Sequence, residues 1–231
     1  KREAEDTAVD DGRWVRDNAL EKLDGPVYAP PLMSVWFDDE QIGWASGAYG
    51  SLLQTSNGGR QWQDRAHVLD NPEELHLNGI AGSADGSQLY IASEWGNVFR
   101  SLNHGQTWET MATGYEGSFF GIVVNPATGS VFAYGLLGTI YRSTDQGATW
   151  EPLASKASAS LYGGHGAADG TLVFVGQGGT VVRSGDDGDT FTVLPQPSRR
   201  GLHGVDRLDD GRYLVAGEGG GALLATDEGA Q

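Results

Sequence analysis

Three sets of residues in this chain are of types that could do chemistry. His76, His165 and His203 could gather around a metal ion, but no His-x-His or His-x-x-x-His pair puts two imidazoles on one strand or helix face, so no metal site is expected. Glu94 with Glu218 or Asp206 could supply the acid and base of glycoside hydrolysis, yet nothing in their surroundings singles them out. Arg100, Arg142 and Arg183 could clamp a substrate carboxylate. Each stands immediately before a serine in the same local frame, and such regularity points to structure. Cysteine is absent, which removes disulfides, thiolate ligands and cysteine nucleophiles. No catalytic residue and no cofactor is therefore assigned, and binding is the expected activity.

Charge narrows the partners. With 15 Lys plus Arg against 31 Asp plus Glu, the net charge is −16, which repels phosphate backbones and anionic lipid surfaces and argues against nucleic acid. No run approaches the roughly 18 apolar residues of a membrane span, so direct membrane insertion is not expected. Arg199-Arg200 lies in a Pro-rich connector and reads as solvated, while Asp186-Asp187-Gly188-Asp189 reads as a turn with one extra solvated carboxylate in preference to a calcium loop.

The elements that must position these residues come from a repeat. Ser143-Thr144-Asp145-Gln146-Gly147-Ala148-Thr149-Trp150 has counterparts in Ser101 to Trp108, built on Asn103, Gly105 and Trp108, and in Ser184 to Phe191, built on Asp186, Gly188 and Phe191. Looser copies are Thr55 to Trp62, with Asn57, Gly59 and Trp62, and the terminal run from Ala225 to Gln231. The closing aromatics lie 46, 42 and 41 residues apart, and a glycine stands five residues before each copy: Gly50, Gly96, Gly138, Gly179 and Gly220. The apolar runs between these turns are too short for helices, which gives about four strands per repeat. Four strands in some 40 to 45 residues is the period of a propeller blade.

In each turn, Asp145, Gly147 and Trp150 and their counterparts fill structural roles. The carboxylate or amide binds turn amides, the glycine takes a positive φ, and the aromatic wedges between sheets. The expected fold is all-β: a propeller of five four-stranded antiparallel blades near 27–66, 74–112, 117–154, 159–195 and 201–231, with a fragment of a seven-bladed ring as the alternative. Residues 1–10 read as a disordered or tag-like leader and 11–231 as one domain. Asp11 to Arg16 resembles the end of one more copy, with Trp14 one repeat before Trp62, so segment 11–17 is expected to supply the last blade's missing outer strand.

The eight-residue pattern resembles the Asp-box, or BNR repeat. The run from Ile42-Gly43-Trp44 through Gly50-Ser51-Leu52 to Gln61-Trp62 is similar to the photosystem II stability/assembly factor-like family, a likeness covering residues 27 to 231. That resemblance implies an exported, non-catalytic propeller, periplasmic or extracellular, that binds a membrane-associated protein partner as scaffold or assembly factor. This chain departs from the photosynthetic members in lacking their basic patch. Asp-boxes are shared with sialidases, xyloglucanases and sortilin-type receptors, so the alternative is a propeller that binds or hydrolyses glycans. The Phe-Arg-Ile-Pro segment of sialidases is absent.

In such a blade the connections from strand 4 to 1 and from strand 2 to 3 share one face, and the boxes lie on the other. The first face carries a different residue in each repeat, as specificity requires. Tyr49, Trp95 and Leu137 precede the repeated glycines there, joined by Glu94, Gln177 and Glu218. Phe119, Phe120, Tyr162 and His203 enter the first strands, along with Met33 and His76. This aromatic and acidic collection is the expected binding face.

Overall fold

The computed structural model describes residues 30–224. They form five antiparallel sheets and no α-helix. The first blade contains β1 (Leu32–Phe37), β2 (Gly43–Gly47), β3 (Leu52–Thr55) and β4 (Gln63–Asp64). The second contains β5 (Leu77–Gly82), β6 (Leu89–Ser93), β7 (Asn97–Ser101) and β8 (Glu109–Ala112). The third contains β9 (Phe119–Val124), β10 (Val131–Gly135), β11 (Ile140–Ser143) and β12 (Glu151–Pro152). The fourth contains β13 (Leu161–Gly166), β14 (Leu172–Gly176), β15 (Val181–Ser184) and β16 (Thr192–Val193). The fifth contains β17 (Leu202–Arg207), β18 (Tyr213–Gly217) and β19 (Gly220–Leu223).

Strands pair in chain order within each blade, so each sheet is an up-and-down meander. The inner strands β1, β5, β9, β13 and β17 pack each against the next and together surround one axial cavity. The described residues thus form a five-bladed propeller of antiparallel blades, four of them four-stranded and the fifth with three strands described. The leader 1–10, the closing segment 11–17 and the terminal box 225–231 lie outside the described residues.

Blades stack through a repeated contact that single boxes do not announce. The second residue of β2, β6 and β10 is Trp44, Tyr90 or Phe132, all fully buried. Each lies against the box glycine of the following blade: a Cβ on Gly105 would meet Trp44 at 2.2 Å, one on Gly147 would meet Tyr90 at 3.1 Å, and one on Gly188 would meet Phe132 at 2.8 Å. Only glycine lets the ring approach so closely. Arginines add a second stitch. Arg100 donates to the carbonyl of Gln146 in the next box at 3.1 Å, and Arg142 donates to the carbonyl of Asp187 at 2.6 Å and to Asp189 Oδ1 at 2.8 Å. Arg100 and Arg142 thus join neighbouring blades, which accounts for their equivalent places in the sequence.

Among the described residues this stacking of ring on box glycine runs from blade 1 to blade 4. Leu214 of β18 occupies the place of Trp44, Tyr90 and Phe132 in the fifth blade.

Candidate functional site

Every inner strand begins with the same irregularity. The pairing register skips one residue between Leu32 and Ser34, Leu77 and Gly79, Leu161 and Gly163, and Leu202 and Gly204, and the partner of β9 skips Phe120. A bulge leaves one residue out of the ladder and re-aims its side chain. The five bulged residues are Met33, Asn78, Phe120, Tyr162 and His203, and all five line the axial cavity, whose volume is about 260 Å³.

Three of them form an aromatic arc. Phe120 and Tyr162 lie 5.8 Å apart, and Tyr162 and His203 stack at 5.2 Å with their planes 16° apart. Asn78 Nδ2 donates to the Phe119 carbonyl at 2.7 Å, tying blade 2 to blade 3 beneath the arc. The residue after each bulge is small, and at Gly79 and Gly163 a close approach of the next blade requires it. A Cβ on Gly79 would sit 2.8 Å from the Gly121 Cα, and one on Gly163 would sit 3.0 Å from the Gly204 Cα. Tyr134 also borders the cavity, and burial raises its hydroxyl above the usual phenol range, so it stays protonated.

A second tier of residues stands on the turns between strands 2 and 3, directly after the residues that pair with the start of each inner strand. Tyr49, Trp95 and Leu137 take left-handed backbone, with φ of 54°, 55° and 55°. Bulky residues rarely hold that conformation because it costs energy. Yet Tyr49 is 51% and Trp95 61% exposed, so little burial offsets the cost. The following glycine is fixed by a close approach: at Gly96, with φ of 68°, a Cβ would lie 1.8 Å from the Tyr115 carbonyl of the neighbouring connector. Connectors and turns thus lie together, and the Tyr49 ring meets His76 edge-on at 5.0 Å.

The acidic candidates support this backbone. Glu94 Oε2 accepts from the His76 amide at 2.9 Å and Glu218 Oε2 accepts from the Gly201 amide at 3.0 Å. Gln177 is exposed on its turn. Phe119 corrects the expectation: it is fully buried, packed on Tyr115 at 5.1 Å and Tyr141 at 5.7 Å, because the bulge directs Phe120 alone to the axis. Asn78 was missed. Aligning the repeats on Gly79, Gly121, Gly163 and Gly204 would have found it, since it occupies the place of Phe120, Tyr162 and His203.

The remaining candidates are engaged separately. His165 Nδ1 lies 3.1 Å from Asp206 Oδ1, and burial holds its pKa below the usual value despite that carboxylate. Among the described residues, no three His, Cys, Asp or Glu side chains are placed to hold a metal ion. The extra carboxylate of the fourth box, expected to be solvated, is instead shared between blades: Asp187 accepts from Asn125 Nδ2 at 2.7 Å, Thr128 Oγ1 at 2.8 Å and Ser130 Oγ at 2.6 Å. A turn of blade 3 had positioned the donors, which the box itself could not reveal.

The boxes close as their residues dictate. Ser143 Oγ accepts from the Gly147 amide at 2.7 Å and donates to Asp145 Oδ1, which accepts from the Thr149 amide at 2.8 Å. Ser101 with Asn103 and Gly105, Ser184 with Asp186 and Gly188, and Thr55 with Asn57 and Gly59 repeat this. Trp108 and Trp150 donate from Nε1 to the carbonyls of Gly105 and Gly147. Trp62 meets Phe37 edge-on at 6.0 Å, and Phe191 is buried on Phe174.

With this geometry in place, likeness to known proteins becomes informative. The family model described as photosynthesis system II assembly factor YCF48 matches residues 15–230. The curated protein named photosystem II assembly lipoprotein Ycf48, from Synechococcus sp. (strain CC9902), is 33% identical over 86 residues, 37% of this chain and 25% of that protein, so the match spans about a quarter of the relative's length. A solved structure titled YCF48 bound to D1 peptide superposes with a TM-score of 0.68 at 22% identity, covering 89% of this chain and 69% of the other. The GH74 xyloglucanase from Xanthomonas campestris superposes with a TM-score of 0.70 at 18% identity, covering 84% of this chain and 36% of the other. At these identities both superpositions show the fold alone.

Proposed function

This chain belongs to the photosynthesis system II assembly factor YCF48 family, and on that premise we propose that it is a non-catalytic assembly factor that binds a membrane-associated protein partner through the face carrying its 4–1 and 2–3 connections. The observation that carries the reading is the pairing of the bulged axial ring with a rim of exposed aromatics held in left-handed turns. Trp and Tyr dominate the energetics of protein interfaces, and the backbone cost at Tyr49 and Trp95 is maintained without burial in return. The relative whose structure is titled as bound to a D1 peptide, and the curated relative named a lipoprotein, support a protein ligand and an exported location, periplasmic or extracellular.

The cavity's size favours a side chain over a glycan. At about 260 Å³ it falls at the small end of ligand pockets, which run to roughly 1,000 Å³, and suits one anchoring side chain. Glu94 and Glu218, the best carboxylates for hydrolysis, are occupied by backbone amides. A photo-crosslinking residue at Trp95 is expected to trap a membrane-associated partner in cells, while one at Gln106 in a box on the opposite face traps none. Tyr49→Ala with Trp95→Ala should abolish the adduct formed from a crosslinker at Leu137. Equal trapping from both faces would overturn the reading, and hydrolysis of a glycoside panel lost on Glu94→Gln would replace it with the glycan one.

A further inference from the structure

The rim is not uniform around the ring, and its charges follow its aromatics. Glu74, exposed and itself left-handed with φ of 51°, lies against the Tyr49 turn, where a Cβ on Gly50 would come within 3.9 Å of its Cα. Exposed Glu116 sits between Tyr115 and Gly117, whose carbonyl accepts from the Gly96 amide at 2.7 Å, and so flanks Trp95. Asp70 and Glu73 lie on the same connector as Glu74. Arg65, at the end of blade 1, lies over the Trp44 ring at 6.0 Å. Exposed cations instead occupy the connectors of the later blades, at Lys156, Arg199 and Arg200.

Resting on the docking face proposed above, we infer that the sector formed by its blade 1 and blade 2 turns receives a basic, extended stretch of the partner protein, whose Lys or Arg side chains lie over Tyr49 and Trp95 and between their flanking carboxylates. An exposed indole offers a cation a face, and carboxylates at its edge complete the attraction and set the register. The sector's charge is complementary to such a segment, and the cations that begin with Lys156 beside the Leu137 turn of blade 3 disfavour its sliding onto the later blades.

The test uses the whole chain and defined peptides of about twelve residues, enough to span roughly 40 Å when extended. One alternates Lys with Thr, one Glu with Thr and one Gln with Thr, each with a fluorescent label. The Lys peptide is expected to bind at least about tenfold more tightly than the other two, with an affinity that falls as salt rises. Trp95→Ala, and Glu74→Gln with Glu116→Gln, should each weaken it by about tenfold or more, while Asp209→Asn with Asp210→Asn in a turn elsewhere should leave it unchanged. Equal binding of the Glu peptide, or equal loss with the distant pair, would overturn the inference. If the crosslink at Trp95 persists while Lys preference is absent, the docking face stands and its cationic ligand does not. Loss of both removes the face itself.

Discussion

At the scale of single residues, the molecule separates positions that hold it together from positions that cost it stability. Ser143 is buried, and its hydroxyl closes the box by accepting from Gly147. Ser143→Ala leaves that amide unsatisfied and should lower unfolding free energy by about 1–3 kcal/mol in urea titration, with partner binding unchanged. Trp95 is the opposite case. Trp95→Gly removes a bulky residue from left-handed backbone and is expected to leave stability unchanged or raise it by up to about 1 kcal/mol, while partner binding is lost. The boxes also make an acid limit. The Thr149 amide and hydroxyl hold Asp145 at about 2, and the Thr190 hydroxyl and amide hold Asp186 at about 2. Because both folded pKa values lie below the ordinary 3.8, their contribution is fully present above about pH 4 and is withdrawn as the pH falls towards 2. Urea midpoints should therefore be level from pH 7 to 5 and decline below 4, less so in Asp145→Asn.

At the scale of elements, stability comes from what one blade does to the next. Arg142→Ala removes bonds to Asp187 and Asp189 across a blade boundary and to Glu151 within its own blade, and is expected to cost roughly 1–2 kcal/mol by thermal or urea melting, since its partners are largely exposed. Much of this architecture was legible in the chain. The spacing of Trp62, Trp108, Trp150 and Phe191 marked the blades, and the repeated arginines announced a structural role. Contacts between repeats were not legible, because they join residues some 60 apart through no common motif: Trp44 to Gly105, or Asp187 to Asn125. The site failed to show for a related reason. Phe119 and Phe120 are identical in type, and only a bulge in the partner's register decides which is core and which faces the axis. Without that register, His76 was placed at strand entry and Asn78 was passed over.

At the scale of the whole molecule, the boundaries between blades decide how the parts depend on one another. Phe132→Ala, where the fully buried ring lies against Gly188 of the next blade, should cost about 3–5 kcal/mol in urea titration. A loss under about 0.5 kcal/mol, the range of ordinary surface changes, would mean that this boundary does not brace the blades. The layering within each blade also bears on how the protein comes apart. Every residue of β6, β10 and β14 is buried, whereas the two-residue outer strands β4, β12 and β16 are exposed. Local opening begins where buried contacts are few, so amide hydrogens in β6, β10 and β14 are expected to exchange far more slowly than those of the outer strands. Heat or denaturant would thus peel the periphery first and leave the strands around the axis, with the aromatic turns they carry, standing.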